Sequence, residues 1–315
     1  MKLESINRVA IIGTGMIGAS MAALFTGNGY PVTLLAIDDE QEAAGRKRYR
    51  DCYADLIAKG LVTDKQAAAC ARLLTTTQRY QDIADADFII ESVFERLDVK
   101  HSVYAEVEKH CRCFKALAST TSAISPDDLA KGMENREKLV GAHPWNPPHL
   151  VPFIELVGCE QTAAAAIAIA YEVFESVGRK VVVMKRPAPG FIGNRLQHAM
   201  AREAVHMIEH GIASPEDIDK TLKYSFIPRY TSIGLFEHLD YAGLDQVVSV
   251  HDYVFPDLGN EPKAQDYLRS RLEAGDLGLK TGKGVYDWSQ VDMDDFRKRA
   301  AQPYLGFFNW SLPEE

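Results

Sequence analysis

A short apolar run, Val9-Ala10-Ile11-Ile12, leads directly into Gly13-Thr14-Gly15-Met16-Ile17-Gly18 and then into a helical stretch ending near Asn28. A strand, a G-x-G-x-x-G turn and a helix in immediate succession constrain the fold more than any other feature of the chain. The glycines serve a tight turn, a close backbone approach to a ligand, and close packing of helix on strand. The helix start gathers free N–H groups and the positive end of a dipole at one point, which suits phosphate. A second strand, Val32-Thr33-Leu34-Leu35-Ala36-Ile37, follows at the spacing of a βαβ unit. Gly13, Gly15, Met16, Ile17 and Gly18 are therefore read as dinucleotide-binding residues.

The alternation continues. Strands are predicted at Val9–Ile12, Val32–Ile37, Phe88–Glu91, Lys115–Ala118, Leu139–Ala142, Phe153–Val157 and Lys180–Met184, with amphipathic helices such as Leu97–Cys111 and Thr162–Val177 among them. Strands alternating with helices predict an α/β fold with a doubly wound parallel sheet of Rossmann type. Arg186-Pro187-Ala188-Pro189-Gly190 breaks the pattern. Beyond it the chain reads as helical, at Phe191–His210, Pro215–Tyr224 and Pro262–Glu273. A length of 315 residues suits two domains. The expected division is a dinucleotide-binding domain over residues 1–186 and an all-α substrate and dimerisation domain over 187–315.

Net charge of -9 argues against nucleic acid or an anionic membrane surface as partner. No apolar stretch reaches the roughly 20 residues a membrane span needs. Five scattered cysteines read as reduced thiols in a cytoplasmic protein, and Cys111-Arg112-Cys113 as free thiols at a helix end. His206 and His210 stand at i and i+4 on a helix without an evident third metal ligand, and are read as a solvated face.

The chemistry-bearing segments come later. His143 opens His143-Pro144-Trp145-Asn146-Pro147-Pro148, and Glu155 stands twelve residues on, inside Phe153-Ile154-Glu155-Leu156-Val157. Oxidising an alcohol needs a base for the hydroxyl proton, and histidine titrates near neutral pH. A carboxylate on its other ring nitrogen fixes the tautomer and stabilises the imidazolium. A charge inside an apolar run is costly unless paired, which favours a His143–Glu155 pair. From chemistry alone, a core histidine with a chance glutamate nearby stays open as the alternative.

Together with Ser119-Thr120-Thr121-Ser122, Pro189-Gly190-Phe191-Ile192-Gly193-Asn194-Arg195 and Gly278-Leu279-Lys280-Thr281-Gly282, these segments resemble the 3-hydroxyacyl-CoA dehydrogenase family from Val9 to about Trp288. The resemblance implies His143 as catalytic base, Glu155 as its partner, and Ser122 and Asn194 as groups that hold the reacting oxygen. It also implies cofactor contacts from Asn146, Glu95, Lys100 and Lys280, and a homodimer formed through the helical domain. Asn146-Pro147-Pro148-His149 and Pro228-Arg229-Tyr230-Thr231-Ser232-Ile233-Gly234 are similar to the branch of L-gulonate 3-dehydrogenases (lambda-crystallin) and carnitine-type enzymes, which act on free acids. Arg229 then reads either as a fork for a substrate carboxylate or as a surface arginine. The resemblance thus implies an NAD-dependent oxidoreductase acting on the 3-hydroxyl of a small hydroxy acid. A 3-hydroxyacyl-CoA (3-hydroxybutyryl-CoA) dehydrogenase is the nearest alternative, oxidation of a hydrated aldehyde a more distant one, and a non-enzymatic crystallin-like protein the alternative from another class.

The basic run Arg46, Lys47, Arg48 and Arg50 serves either a phosphate or solvation of a helix face, and the aromatic tail Phe307-Phe308-Asn309-Trp310 extends past the family's usual end. The acid that receives the adenosine ribose is the unsettled part of the cofactor site. Asp38, at the end of the second strand, is the obvious residue, yet an ungapped count puts the family's acidic position on Ala36. NAD is expected, because Asp38 and Asp39 would repel a 2′-phosphate, with discrimination against NADP weaker than in relatives that have the acid.

Overall fold

The computed structural model describes residues 3–313. The chain divides into two compact units, one comprising the residues up to Ile192 together with those from Arg297 onward, the other Gly193–Phe296.

The first unit is built on a sheet. Its strands are β1 (Val9–Ile12), β2 (Val32–Leu35), β3 (Leu74–Thr77), β4 (Phe88–Glu91), β5 (Ala116–Ser119), β6 (Leu139–Pro144), β7 (Phe153–Gly158) and β8 (Lys180–Val183). They lie in the order β3-β2-β1-β4-β5-β6-β7-β8. The first six positions of that order are those of a doubly wound dinucleotide-binding sheet. Between strands run α1 (Met16–Gly27), α2 (Asp39–Ala58), α3 (Asp64–Ala71), α4 (Leu97–His110), α5 (Pro126–Ala130) and α6 (Ala164–Ser176).

Both faces of the sheet are covered, so its central strands are apolar on both sides. Val9 and Ile11 join Phe25, Phe88 and Phe174 in one core, while Ala10 and Ile12 join Ile89, Tyr104 and Phe114 in the other. Successive residues of a strand point to opposite faces, which is why a continuous apolar run such as Val9–Ile12 can feed two cores.

Two features depart from the expected sheet. β3 escapes the sequence reading because Leu74-Thr75-Thr76-Thr77 carries one aliphatic residue, and an edge strand half exposed to water needs no more. β7 pairs antiparallel to β6, with His143 opposite Glu155. The eight residues between these strands, 145–152, are too few for the crossover that a parallel neighbour requires. The sheet is therefore mostly parallel rather than wholly so.

The helical unit holds α7 (Gly193–Glu209), α8 (Pro215–Tyr224), α9 (Leu235–Ala242), α10 (Leu244–Val254) and α11 (Asp266–Glu273). Ser214 caps α8 by accepting from the Asp217 N–H at 3.1 Å, with Pro215 as the first helical residue. Val205, Ile218 and Gln265 are buried within it.

The end of the chain departs from the expected grouping of residues 187–315 in one unit. A last helix, α12 (Met293–Leu305), leads into a tail that packs on the first unit, not with the helical one. Trp310 lies over Gly27, where a Cβ would stand 2.2 Å from the ring, and meets Tyr53 edge-on at 6.2 Å. The Ser311 N–H donates to Asn28 Oδ1 at 2.9 Å. Burying Trp310 to 7% exposure is what draws the tail there.

Candidate active site

The turn after β1 is shaped by two close approaches. Gly13 has φ +108, and a Cβ on it would stand 2.3 Å from the Ser92 carbonyl beyond β4. A Cβ on Gly18 would stand 2.0 Å from the Gly13 carbonyl. Side chains at either position would push α1 off the sheet or the turn off β4. Gly15 differs, since a Cβ there would meet nothing within 4 Å. It is the N-cap of α1, with no side-chain cap and no acidic residue in the first turn. Open space in front of uncapped N–H groups, at the reversal of strand order between β1 and β4, fits a dinucleotide pyrophosphate. Met16 is exposed beside that space and Ile17 half-buried.

The adenosine end is built differently from the obvious expectation. β2 stops at Leu35, and Ala36 is buried with its N–H bonded to the Thr77 carbonyl at 2.8 Å. Asp38 is the N-cap of α2, its Oδ1 accepting from the Gln41 N–H at 2.7 Å. Its carboxylate thus has a local structural task independent of any ribose. Among the basic run, Arg46 pairs with Glu42 and Lys47 with Asp51, while Arg48 donates to the Thr14 carbonyl of the turn at 3.0 Å.

At the ends of β6 and β7 the structure brings His143 and Glu155 together. His143 Nδ1 lies 3.1 Å from Glu155 Oε2, and Glu155 is wholly buried. That carboxylate oxygen also accepts from Trp145 Nε1 at 3.3 Å, and Oε1 accepts from the Ile192 N–H at 2.8 Å. The imidazole stacks on Phe191, with ring centroids 4.8 Å apart. Phe191 holds φ 53, which costs an aromatic residue about 1–2 kcal/mol; the ring contact helps offset that strain. Because Glu155 accepts a hydrogen bond from Nδ1–H, Nε2 is the atom left as proton acceptor. Trp145 and Phe191 lie inside the His143–Pro148 and Pro189–Arg195 segments, but their partners depend on where two loops converge, which the sequence does not show. Asn146 is exposed in the loop that follows.

A second polar network sits beneath the Ser122 loop. Glu91, wholly buried at the end of β4, accepts from Lys100 Nζ at 2.8 Å, Tyr104 Oη at 2.8 Å and Ser119 Oγ at 2.6 Å. Lys100 also pairs with Glu95 at 3.2 Å. Glu95 in turn accepts from the Thr121 hydroxyl and from the N–H groups of Ser122 at 2.9 Å and Ala123 at 3.0 Å. Burial pushes the Glu95 carboxyl up, but the Thr121 bond, the Lys100 charge and these N–H groups outweigh it, and the net direction is down. Lys100 is 1% exposed and neutralises two carboxylates that shape the Ser122 loop. Glu91 escaped the sequence reading because a lone acid at a strand end carries no signal of its partners.

Asn194 stands in the first turn of α7, Arg229 in a 3-10 turn spanning Pro228–Thr231, and Lys280 in the tight turn bridged by Gly278 and Lys283; all three belong to the helical unit. Arg229 is exposed, its Nη1 3.0 Å from His238 Nε2. His206 pairs with Glu261 at 2.9 Å and stacks on His210.

Comparison with known proteins identifies the family. The 3-hydroxyacyl-CoA dehydrogenase NAD binding domain matches residues 8–187, and the C-terminal domain of the same family matches 190–288. An L-carnitine dehydrogenase of Mesorhizobium japonicum is 37% identical over 76% of this chain, a match that spans 66% of that protein's length. A 5-formyl-3-hydroxy-2-methylpyridine 4-carboxylate 5-dehydrogenase of the same organism is 32% identical, covering 89% of this chain and 90% of its own. The crystal structure of a dehydrogenase of that name, described as an NAD+ dependent dismutase, superposes with a TM-score of 0.85 at 29% identity, over 96% of this chain and 97% of the other. An (S)-3-hydroxybutyryl-CoA dehydrogenase from Ralstonia eutropha gives 0.74 at 28% identity, over 90% and 100%.

Proposed function

The chain belongs to the 3-hydroxyacyl-CoA dehydrogenase family, and from that premise we propose that it oxidises, reversibly and with NAD, the 3-hydroxyl of a small free hydroxy acid. The observation that carries the chemistry is the buried His143–Glu155 pair at 3.1 Å. His143 Nε2 takes the hydroxyl proton as the carbonyl forms. Glu155 holds the ring in the required tautomer and stabilises its charged state. Ser122 and Asn194 hold the reacting oxygen, Asn146 and Lys280 contact the cofactor, and Glu95 shapes the Ser122 loop beside it. Gly13–Gly18 receives the pyrophosphate. A nicotinamide bound there would supply the hydride acceptor for the substrate carbon.

A free acid rather than a thioester is supported by the Asn146-Pro147-Pro148 segment and by relatives named for carnitine and for a pyridine carboxylate. Arg229 is the residue we assign to the substrate carboxylate. The thioester reading keeps support from the similarity to (S)-3-hydroxybutyryl-CoA dehydrogenase. A panel of β-hydroxy acids, sugar acids and acyl-CoAs, each with NAD and NADP, decides between them. Turnover of free acids is expected; turnover of acetoacetyl-CoA alone would sink this reading. With Ala36 in place of an acid, NAD preference should stay below about a thousand-fold, or 4 kcal/mol. A larger preference would mean that Asp38 does more than cap α2.

We further propose a homodimer formed through the helical unit. Its α9 and α10 expose Phe236, Leu244 and Val248, together with Tyr241 and Tyr253, which are 88% and 87% exposed. Contiguous apolar and aromatic surface of this kind marks an interface. Sedimentation at micromolar concentration should give twice the 35.0 kDa of one chain, and a species of single-chain mass would refute the assignment.

A further inference from the structure

The segment 145–152, which carries Asn146 from His143 toward β7, is held from two sides by groups outside the dehydrogenase constellation. On one side stands Arg179, in the connection between α6 and β8. It is 4% exposed, and its guanidinium donates to the carbonyls of Pro148 at 3.1 Å, Val151 at 2.9 Å and Val177 at 3.3 Å. Burial pushes it down to about 10, so it stays charged at neutral pH. A charged fork among carbonyl oxygens binds them more firmly than a neutral donor does.

On the other side, the His149 backbone N–H donates to Ser20 Oγ at 2.8 Å, and the Ser20 hydroxyl lies 2.8 Å from His149 Nδ1. His149 Nε2 lies 3.3 Å from Asp55 Oδ2. All donors are satisfied when Ser20 donates to Nδ1 and Nε2–H donates to Asp55. The bond from His149, with Lys59 assisting against burial, holds the Asp55 carboxyl below the usual range. This Ser–His–Asp chain is no nucleophilic triad, because Ser20 is wholly buried. Its importance lies in where its ends are rooted. Ser20 is on α1, the helix that starts at the pyrophosphate turn, and Asp55 is on α2, the next helix of the cofactor half.

We propose that Arg179 and His149 are positioning residues: Arg179 braces the 145–152 segment from the α6–β8 connection, His149 braces it against the two cofactor-side helices, and together they fix Asn146 for the reaction. The inference rests on the dehydrogenase reading for its effect on turnover, but the brace itself can be read without turnover. Arg179 removes the freedom of the loop's carbonyls, and His149 ties its backbone to α1. Neither touches the reacting atoms. A loop so held presents Asn146 in one place before substrate arrives, and displacement of such a group by even an ångström is costly.

The test compares Arg179→Met, Arg179→Lys and His149→Phe with wild type by hydrogen exchange and by steady-state kinetics on the full chain. In Arg179→Met, exchange at the Leu150 and Val151 amides should rise by about tenfold or more. kcat should fall by about 10²-fold, while KM for NAD changes by less than about threefold. Arg179→Lys should restore most of both, since an ammonium can still donate to carbonyls. His149→Phe, which keeps ring volume, should move the same two readouts and serves if Arg179→Met does not fold. Unchanged exchange would overturn the brace. Faster exchange with unchanged kcat would overturn its role in the reaction and leave a structural clamp. A wild type without turnover would defeat the dehydrogenase reading, and the exchange comparison would still decide on the brace.

Discussion

Replacing His143 with Gln should lower kcat by about 10³-fold or more, with NADH affinity little changed. The amide keeps a polar group of similar reach near Glu155 and Phe191 but has no nitrogen lone pair able to take a proton. Nothing in the Gly13–Gly18 turn is disturbed, because His143 lies at the end of β6, on the far side of β4 and β5 from that turn. Stopped-flow turnover together with titration of NADH fluorescence separates the two effects. Retention of turnover within about tenfold would show that another group is the base. Loss of NADH binding in step with kcat would show that the substitution deformed the first unit instead.

Glu155→Gln should be nearly as damaging to turnover, by roughly 10³-fold, and should destabilise the protein as well. The wild-type carboxylate accepts from His143 and Trp145 at one oxygen and from the Ile192 N–H at the other. An amide can accept at one of those positions only. If its NH2 faces His143, the imidazole is forced into the wrong tautomer, with its proton on the atom that must receive one. If its NH2 faces Ile192, two donors meet in a site closed to water, at a cost of about 1–3 kcal/mol. The variant should therefore melt lower than wild type while His143→Gln does not, and a kcat within about tenfold of wild type would show that Glu155 is a structural acceptor only.

The cofactor turn was legible because its physics is local: strand, glycines and helix start lie within about twenty consecutive residues, and each glycine has a backbone reason. The His143–Glu155 pair was legible for a different reason, since a carboxylate inside Phe153–Val157 demands a partner and His143 ends the preceding strand. The identities of β1, β4 and the central helices followed from apolar runs. Elements with weak patterns did not: β3 has mostly threonine, and the direction of β7 depends on how few residues precede it.

What the sequence alone pointed to is the Rossmann-type first half, the dinucleotide turn and the pairing of His143 with Glu155, because in each the deciding residues are neighbours in the chain or share a strand pattern. Tertiary structure alone decided the polar partners. It turned Lys100 inward to Glu91 and Glu95, gave Asp38 to the start of α2, set Trp145 on Glu155, and placed Arg179 and His149 around the Asn146 loop. It also returned Trp310 to the first unit, over Gly27. The physical reason is common to these cases. A buried charge or polar group is satisfied by whatever the fold brings within hydrogen-bond reach, from three residues away for Asp38 to 129 for His149 and Ser20, and a buried ring goes where the fold leaves it room to pack; neither has a periodicity to announce it.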